Sequence, residues 1–510
     1  MGKGKLLGAA FLVGMLAVMT AGCARYEPAP ASSPGSAFEP AAPAVPSAGA
    51  LERKASPPSP RSAFEPAAAS DSPAAKWAGR KEGAGENGGA AVEREGPGPD
   101  FKAPALGFWC DGYFRSAAQR MEKALAALRP EPVKVKGIYI SGYAAGNDAM
   151  MEEYIRRIDE TELNAVVIDF KNDEGRITYP VNTGLMGEIG AGTKLIPDLE
   201  GLLSKLKEHD IYAIARVVAF KDPFLASRKP EWCLRTADGE IYRDKKGQAW
   251  INPYLTEVWE YLAEAAADAC RAGFDEVQFD YIRFDTDPAM SQVVFDQADT
   301  AGRSKTEAVT AFAEFLRERF KRTGLFLSAD VFGAVIGNPV DADAVGQDYV
   351  KLAESMDYIC PMIYPSHYGA GSFGLENPDL HPYETIAGAL AKSREALEDG
   401  AEAEYNVEYD AEAAAGLKDG GDEAENEAGN AKPAPRAAVR PWLQDFTASY
   451  LKRYLVYGPE ELRQQIQAVY DSGCEEWILW NAACRYSWDG LLKEEEYGQN
   501  AGGGGILPPL

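Results

Sequence analysis

The chain is poor in histidine and in basic residues, and each shortage excludes a class of function. Its 510 residues include only three histidines, His209, His367 and His381, and no two of them have the spacing of metal ligands. A histidine-rich metal site is therefore excluded, and we expect no cofactor. The 52 lysines and arginines are outnumbered by 78 aspartates and glutamates, which gives a net charge of −26. Such an acidic balance argues against a nucleic-acid partner.

Cysteine is scarce as well, with seven residues in the whole chain. Cys360 lies inside an apolar, strand-like run, and Cys474 and Cys484 stand at opposite ends of another. A ten-residue strand separates its ends by about 33 Å, which is far beyond the reach of a disulfide. The sequence therefore predicts no small disulfide framework, although it leaves room for a single bridge.

A long apolar run stands at the N-terminus. Two lysines precede residues 6–18, and Thr-Ala-Gly-Cys follows at 20–23. The run is short for a membrane span and is typical of an export signal. Small residues before Cys23 resemble a bacterial lipoprotein processing box, although Thr20 replaces the usual leucine. We predict a signal peptide over 1–23, a lipid on Cys23 and an extracytoplasmic, membrane-anchored protein; an ordinary cleaved signal or an uncleaved anchor are the alternatives.

Two segments have the composition of disordered chain. Residues 24–104 hold 14 of the 33 prolines and repeat Ser-Ala-Phe-Glu-Pro-Ala-Ala at 36–42 and 62–68, which favours a duplicated spacer over a partner motif. Residues 398–430 contain 12 acidic residues against Lys418 alone. Because this segment carries much of the excess negative charge, the overall charge says little about the substrate.

Between residues 133 and 495 short apolar runs alternate with helical patterns, as in parallel sheets with crossover helices. The eight runs that we predict to be strands are 135–141, 165–171, 212–219, 277–284, 326–332, 357–364, 440–446 and 476–481. Eight such units predict an α/β fold, a (β/α)8 TIM barrel. The competing fold is a doubly wound open sheet, but no glycine-rich nucleotide loop follows the first strand.

The predicted domains follow from these patterns. The barrel spans 133–398 and 437–495, and it is interrupted by an acidic disordered insertion at 399–436. A helical segment at 105–132 precedes the barrel, and a flexible tail at 496–510 follows it.

Connection lengths orient the predicted barrel. The helix-to-strand connections are short, whereas those after strands, notably 220–253, 285–303 and 365–382, are long. Functional loops of barrels follow the carboxyl ends of the strands, so the long loops mark the active face. The acidic insertion precedes a strand and is expected on the opposite face, where it is dispensable for chemistry.

Period-two alternation places several polar and aromatic side chains inside the barrel mouth. Paired carboxylates suit glycoside hydrolysis, in which one protonates the leaving oxygen and the other attacks or activates water. Burial and a like charge can keep one of them protonated, and aromatic rings stack on sugars. The candidate catalytic residues are Asp280, Asp330 and Asp169. The candidate substrate-binding residues are Lys171, Arg216, Arg283, Tyr364, His367, Trp442, Gln444 and Trp480.

Structural roles compete with these assignments. Asp280 could pair with Arg283 or Lys171, and Asp330 could cap a helix or bind Arg216. Asp169 and Lys171 could neutralise one another, while the aromatic residues could pack the barrel top.

Several motifs resemble those of one bacterial family of glycoside hydrolases. The main motif is GFDEVQFDYIRF at 273–284. Supporting motifs are VKGIY at 135–139, VIDFK at 167–171, SADVFG at 328–333, MIYPSHY at 362–368 and RPWLQDF at 440–446. Together they cover 133–495 apart from the acidic insertion.

The resemblance implies a (β/α)8 barrel related to the α-amylase superfamily. It would make Asp280 the strand-four nucleophile and place Asp330 on the strand that carries the general acid. Three departures stand out: Gln278 replaces the arginine two residues before the nucleophile, Asp330 replaces a glutamate, and Asp285 replaces a proline.

Three functions remain open at this stage. The first is an exported, lipid-anchored glycoside hydrolase that acts on a cell-surface or environmental polysaccharide or oligosaccharide. The second is a catalytically silent barrel that binds glycans of the cell envelope. The third is a metal-assisted hydrolase that uses Asp169, Asp280 and Asp330 as oxygen ligands.

Overall fold

The structure, a computed structural model, describes residues 130–414 and 437–493. The predictions for the signal peptide, Cys23, the spacer at 24–104, most of the helical segment at 105–132 and the tail at 496–510 lie outside these residues.

Eight parallel strands form the centre of the fold. They are β1 (Lys136–Ile140), β2 (Ala165–Lys171), β3 (Tyr212–Val218), β4 (Glu276–Asp280), β5 (Phe326–Phe332), β6 (Tyr358–Ile363), β7 (Trp442–Gln444) and β8 (Trp477–Trp480). Each strand pairs with the next, and β8 pairs with β1 through Lys136 opposite Trp477, which closes the sheet. The predicted (β/α)8 barrel is confirmed.

Twelve α-helices accompany the strands. They are α1 (Gly142–Ala145), α2 (Asp148–Asp159), α3 (Gly184–Glu188), α4 (Leu199–Glu208), α5 (Pro223–Arg228), α6 (Thr256–Ala272), α7 (Gln297–Thr300), α8 (Lys305–Phe320), α9 (Pro339–Val345), α10 (Tyr349–Ser355), α11 (Pro382–Ala414) and α12 (Pro459–Asp471), counted within residues 130–414 and 437–493. Their apolar faces cover the sheet, so both of its faces are buried.

Three short strands lie outside this set. Arg235–Thr236 and Val293–Val294 pair antiparallel and join the long loops after β3 and β4. Ala438–Val439 pairs with the start of β6 and leads into β7.

Near-continuous apolar runs explain the barrel strands. All seven residues of β2, β3 and β5 are buried, as expected for strands that are covered on one side by helices and on the other by the barrel interior. Each predicted strand is found, and β2 and β5 have the predicted bounds.

β4 is shorter than the predicted run 277–284. It ends at Asp280 because Tyr281 adopts a left-handed conformation with φ of 51°, which a continuing strand does not allow. The turn places Asp280 at the last position of its strand, where the barrel opens.

Helix α11 differs from the predicted disordered insertion. It continues to Ala414, so the first part of the segment 399–436 is helical rather than irregular. Residues 415–436 lie outside the described part of the chain.

The described residues contain no helix that is long and apolar enough to cross a membrane. Five cysteines fall within them, and all five are free thiols: Cys233, Cys270, Cys360, Cys474 and Cys484.

Candidate active site

Arg216 on β3 is the centre of an ion cluster inside the barrel mouth. Its guanidinium Nη1 donates to Asp169 Oδ1 at 2.7 Å. Nη2 and Nε donate to Asp280 Oδ2 at 2.6 and 3.0 Å. Arg216 and Asp169 are almost wholly buried, which makes these charge-assisted contacts strong. The structure thus brings together three of the predicted site residues, from β2, β3 and β4.

Asp280 is held on both of its carboxylate oxygens. Arg216 occupies Oδ2, while the backbone N–H of Tyr281 donates to Oδ1 at 2.6 Å. The left-handed turn at Tyr281 makes this second contact. A tyrosine rarely adopts this left-handed conformation, because it is strained. Strain of this kind is typical of functional sites. The ion-pair partner of Asp280 is therefore Arg216, not Arg283 or Lys171.

Asp330 on β5 lies in a different environment. It is 1% exposed, and the indole Nε1–H of Trp442 donates to its Oδ1 at 2.7 Å. Burial raises the pKa of Asp330 well above its usual range, and the negative charge of Asp280 raises it further. Arg216 and the indole donor offset only part of this rise. The direction of this shift favours the protonated carboxyl group, which is the form that a general acid needs.

Aromatic rings line the mouth beside the ion cluster. Tyr139 and Trp480 pack with ring centroids 4.4 Å apart, and Trp480 meets Trp442 edge to face at 5.7 Å. The Arg216 guanidinium lies 5.7 Å from the rings of both Tyr139 and Trp480. Trp480 is only partly buried, whereas Trp442 is buried. Trp480 is therefore the tryptophan of this group that is accessible from the barrel mouth.

Three further residues of the site were not predicted. Asp173, in the loop after β2, accepts from Arg216 at 3.2 Å and from Lys221 at 3.1 Å. Burial raises the pKa of Asp173, but these two cations outweigh it and lower the pKa below the usual value. The hydroxyl group of Tyr139 donates to Asp169 Oδ2 at 2.7 Å. The signal for Asp173 and Lys221 was their position, directly after β2 and β3 on the active face.

Lys171 does not belong to the mouth, contrary to the prediction. The pairing of β2 with β3 shifts between Asp169 and Lys171, which is a bulge. One extra residue reverses the alternation of side chains, so Lys171 turns away from Asp169. It is completely buried, forms an ion pair with Asp222 at 2.8 Å and donates to the carbonyl group of Val218 at 2.6 Å.

Gln444 is likewise a structural residue. It is fully buried, its Oε1 accepts from the Ser366 hydroxyl at 2.7 Å, and its Nε2 donates to the Phe446 carbonyl at 3.0 Å. These bonds tie the loop after β6 to β7. The amide has no group left for a sugar.

Arg283 is enclosed by three aromatic rings. Its guanidinium lies 4.4 to 5.2 Å from the ring centroids of Phe332, Tyr281 and Trp250, and burial lowers its pKa. Arg283 thus packs against Tyr281, the residue that forms the turn after Asp280.

Tyr364 lies near Asp330 and Asp280, and His367 packs against Tyr364. Tyr364 is 2% exposed, and the charges of Asp330 and Asp280 both act on its hydroxyl group. His367 packs edge-on to Tyr364 at 5.0 Å. Burial lowers the pKa of His367 to about 3, so its imidazole is neutral. Its Nδ1 is buried and has no hydrogen-bond partner among residues 130–414 and 437–493.

The described ranges, 130–414 and 437–493, contain no group of three or more histidine, cysteine or acidic residues arranged to hold a metal ion. Asp169 and Asp280 instead share the guanidinium of Arg216, and Asp330 binds an indole.

A closed parallel barrel that collects acidic and aromatic side chains at the carboxyl ends of its strands is the architecture of barrel glycoside hydrolases. The chain belongs to the family described as "Putative glycosyl hydrolase domain", which matches residues 137–407 and 409–486. The family match confirms the expected glycoside hydrolase family.

Solved structures to which the chain is similar include a hypothetical protein from Ruminiclostridium thermocellum. It is 36% identical over 38% of this chain and 97% of its own, with a TM-score of 0.36. The glycoside hydrolase domain of PgaB from Bordetella bronchiseptica is 13% identical over 68% and 94% of the two chains, with a TM-score of 0.43. The α-galactosidase of Thermus thermophilus with stachyose is 15% identical over 74% and 68%, with a TM-score of 0.39. No curated protein matched the chain.

Proposed function

We propose that the protein is an exported, lipid-anchored glycoside hydrolase that cleaves a cell-surface or environmental polysaccharide with Asp280 and Asp330. The observation that carries this proposal is the contrast between two carboxyl groups on neighbouring strands. Asp280 is the partner of a guanidinium, whereas Asp330 is buried beside an indole and has a raised pKa. Two carboxyl groups in such different environments are suited to different roles, one as the acid and the other as the base or nucleophile.

In the proposed reaction Asp330 gives its proton to the glycosidic oxygen as the bond to the anomeric carbon breaks. Asp280 either attacks that carbon, in a retaining enzyme, or removes a proton from the attacking water, in an inverting one. Carboxyl groups about 5–5.5 Å apart would give retention, and a separation of about 6.5–9.5 Å would give inversion.

Asp169 serves as a positioning residue in this proposal. It binds the opposite end of the guanidinium that holds Asp280, and Tyr139 fixes its second oxygen. The cluster from Tyr139 through Asp169 and Arg216 to Asp280 is continuous, so the orientation of the catalytic carboxylate depends on each member. Trp480, the partly exposed ring of the mouth, supplies a sugar-facing surface.

The first experiment is hydrolysis of a glycan panel by the wild type and Asp280→Asn. The panel contains α-glucans, amino-sugar polymers and peptidoglycan, and binding is recorded for both proteins. The amide keeps the size of the side chain but loses the charge, so turnover should fall by about a thousand-fold or more while the fold survives. Asp343→Asn, the same change at an exposed position on α9, is the matched control and should keep full activity.

Full activity in Asp280→Asn would show that this carboxylate is not catalytic. Glycan binding without turnover in either protein would favour the silent binding barrel. In that case Trp480→Ala should weaken binding, whereas Asp280→Asn should leave it nearly intact.

A further inference from the structure

A cavity of about 320 Å³ opens beside the barrel, between the loops that follow β5 and β6 and the outer helix α11. It does not include any of the residues assigned to catalysis. Its volume falls within the range of small-molecule sites, about 300–1,000 Å³. Polar and aromatic side chains share its wall: Asn338, Asp341, Tyr368, Ser372, Phe373 and Lys392.

The polar floor of the cavity is a buried carboxyl group. Asp341 is 2% exposed, and the side-chain amide of Asn338 donates to its Oδ2 at 2.6 Å. A buried carboxyl group is costly unless hydrogen-bond donors satisfy it. Hydroxyl groups of a ligand would provide such donors, and the Asn338 amide beside it adds polar contacts on the same wall.

The aromatic wall is formed by Phe373 and Tyr368, whose ring centroids are 5.1 Å apart. The backbone of Phe373 has φ of 56° and ψ of 22°, a left-handed conformation that is strained for a bulky residue. A methyl group on Gly388 of α11 would lie only 2.7 Å from the ring, so Phe373 sits directly against the helix backbone. Backbone strain that packing holds in place is characteristic of ligand-binding loops.

We propose that this cavity is a second carbohydrate site, which takes one or two neutral pyranose rings from the glycan. The apolar face of a sugar ring would pack on Phe373 and Tyr368, and its hydroxyl groups would bind Asp341 and Asn338. The exposed Lys392, whose ammonium group lies 5.3 Å from the Phe373 ring, closes the rim. The choice of a sugar as ligand rests on the proposed function, whereas the cavity and its lining do not.

The position of the cavity suggests what such a site would do. Tyr368 follows His367 directly in the chain, and the loop after β5 begins where the strand of Asp330 ends. A sugar bound there would hold a long glycan beside the active face. The site would therefore raise the affinity for polymers more than for short substrates.

Binding is best measured by NMR of the full chain with labelled isoleucine methyl groups and tryptophan indoles. Ile336 lines the cavity and reports on it, whereas the indole of Trp480 reports on the barrel mouth. The probes are the methyl glycosides of glucose, galactose and N-acetylglucosamine, and both signals are assigned from Ile336→Val and Trp480→Phe. At least one glycoside should shift Ile336 in the wild type and equally in Asp280→Asn.

The decisive variant is Phe373→Gly, which removes the ring but tolerates the left-handed backbone, so the loop can keep its path. The Kd of the glycoside, measured from the shift of Ile336, should rise at least about tenfold, which corresponds to the loss of one good stacking contact. Val340→Ala, an exposed change beside Asp341 on α9, should bind as the wild type does.

If no glycoside shifts Ile336, or if Phe373→Gly binds as well as the wild type, the second site is refuted. A shift of Trp480 alone would refute it while leaving the barrel mouth as a sugar site. Loss of turnover in Asp280→Asn tests the proposed function separately, so the failure of one can be told from the failure of the other.

Discussion

At the scale of single residues, one arginine organises the ion cluster in the barrel mouth. Arg216 contacts Asp169, Asp173 and Asp280 at once, and it is 2% exposed. Three carboxylates in a buried space repel one another unless a cation lies between them. The guanidinium group is suited to this role because its donors form a planar fork, which lysine lacks.

Arg216→Gln should therefore be destabilising and inactive. Removing one partner of a buried ion cluster typically costs about 3–5 kcal/mol in the free energy of unfolding. Turnover should be lost because Asp280 is no longer held. Urea denaturation and the glycan assay would measure both effects, with Arg228→Gln at an exposed position on α5 as the matched change. Wild-type stability in Arg216→Gln would show that the guanidinium is not needed to offset the repulsion among the three carboxylates.

Asp341 gives a prediction about pH. Burial raises its pKa from 3.8 to about 6, so the folded protein binds this proton more tightly than the unfolded chain does. The stability that this group contributes is therefore complete below about pH 4 and is lost as the pH rises through 6.

Asp341→Asn should be more stable than the wild type above pH 6, by about 1–3 kcal/mol, because each unit of pKa corresponds to about 1.4 kcal/mol. The difference should disappear below pH 4. Urea denaturation at a series of pH values measures it. A difference that does not vary with pH would contradict the assignment to this carboxyl group.

At the scale of secondary structure, the strands were predictable and their irregularities were not. Apolar runs and turn residues located all eight strands, because burial on both faces leaves a strong pattern in the sequence. A bulge leaves the composition of a strand unchanged but reverses the direction of the side chains that follow it. Strict alternation therefore predicts Lys171 in the mouth, whereas the bulge before it turns its side chain the other way. The turn at Tyr281 was equally unpredictable, since tyrosine has no preference for the left-handed conformation.

Helix α11 contains the first part of the acidic insertion, residues 399–414. The insertion includes the end of α11 and precedes β7 in the chain, so we expect it to lead to the amino end of a strand, opposite the active face. Replacing residues 399–436 by a flexible linker of about ten residues should leave turnover on the preferred glycan unchanged, since loop length contributes little to stability. Steady-state kinetics would check this, and a large fall in kcat would give the insertion a part in the reaction.

At the scale of the whole molecule, export and anchoring remain predictions from residues outside the described ranges. If Cys23 carries a lipid, Cys23→Ser should move the protein from the membrane fraction to the soluble fraction, because two or more acyl chains anchor a protein stably. Fractionation of cells that produce each form, together with labelling by a fatty-acid analogue, would test this. Membrane retention of Cys23→Ser would favour an uncleaved apolar anchor instead.

The closure of the barrel also bears on when the protein folds. Strand β1 has β8 as one of its two neighbours, and the residues that pair, Lys136 and Trp477, are separated by most of the described chain. Contacts of such long sequence separation form slowly, because the entropy of closing the loop is lost before the pairing is gained. A nascent chain therefore cannot complete its barrel until its last strand has been synthesised. If the predicted signal peptide directs export, this delay would keep the chain unfolded until it has crossed the membrane.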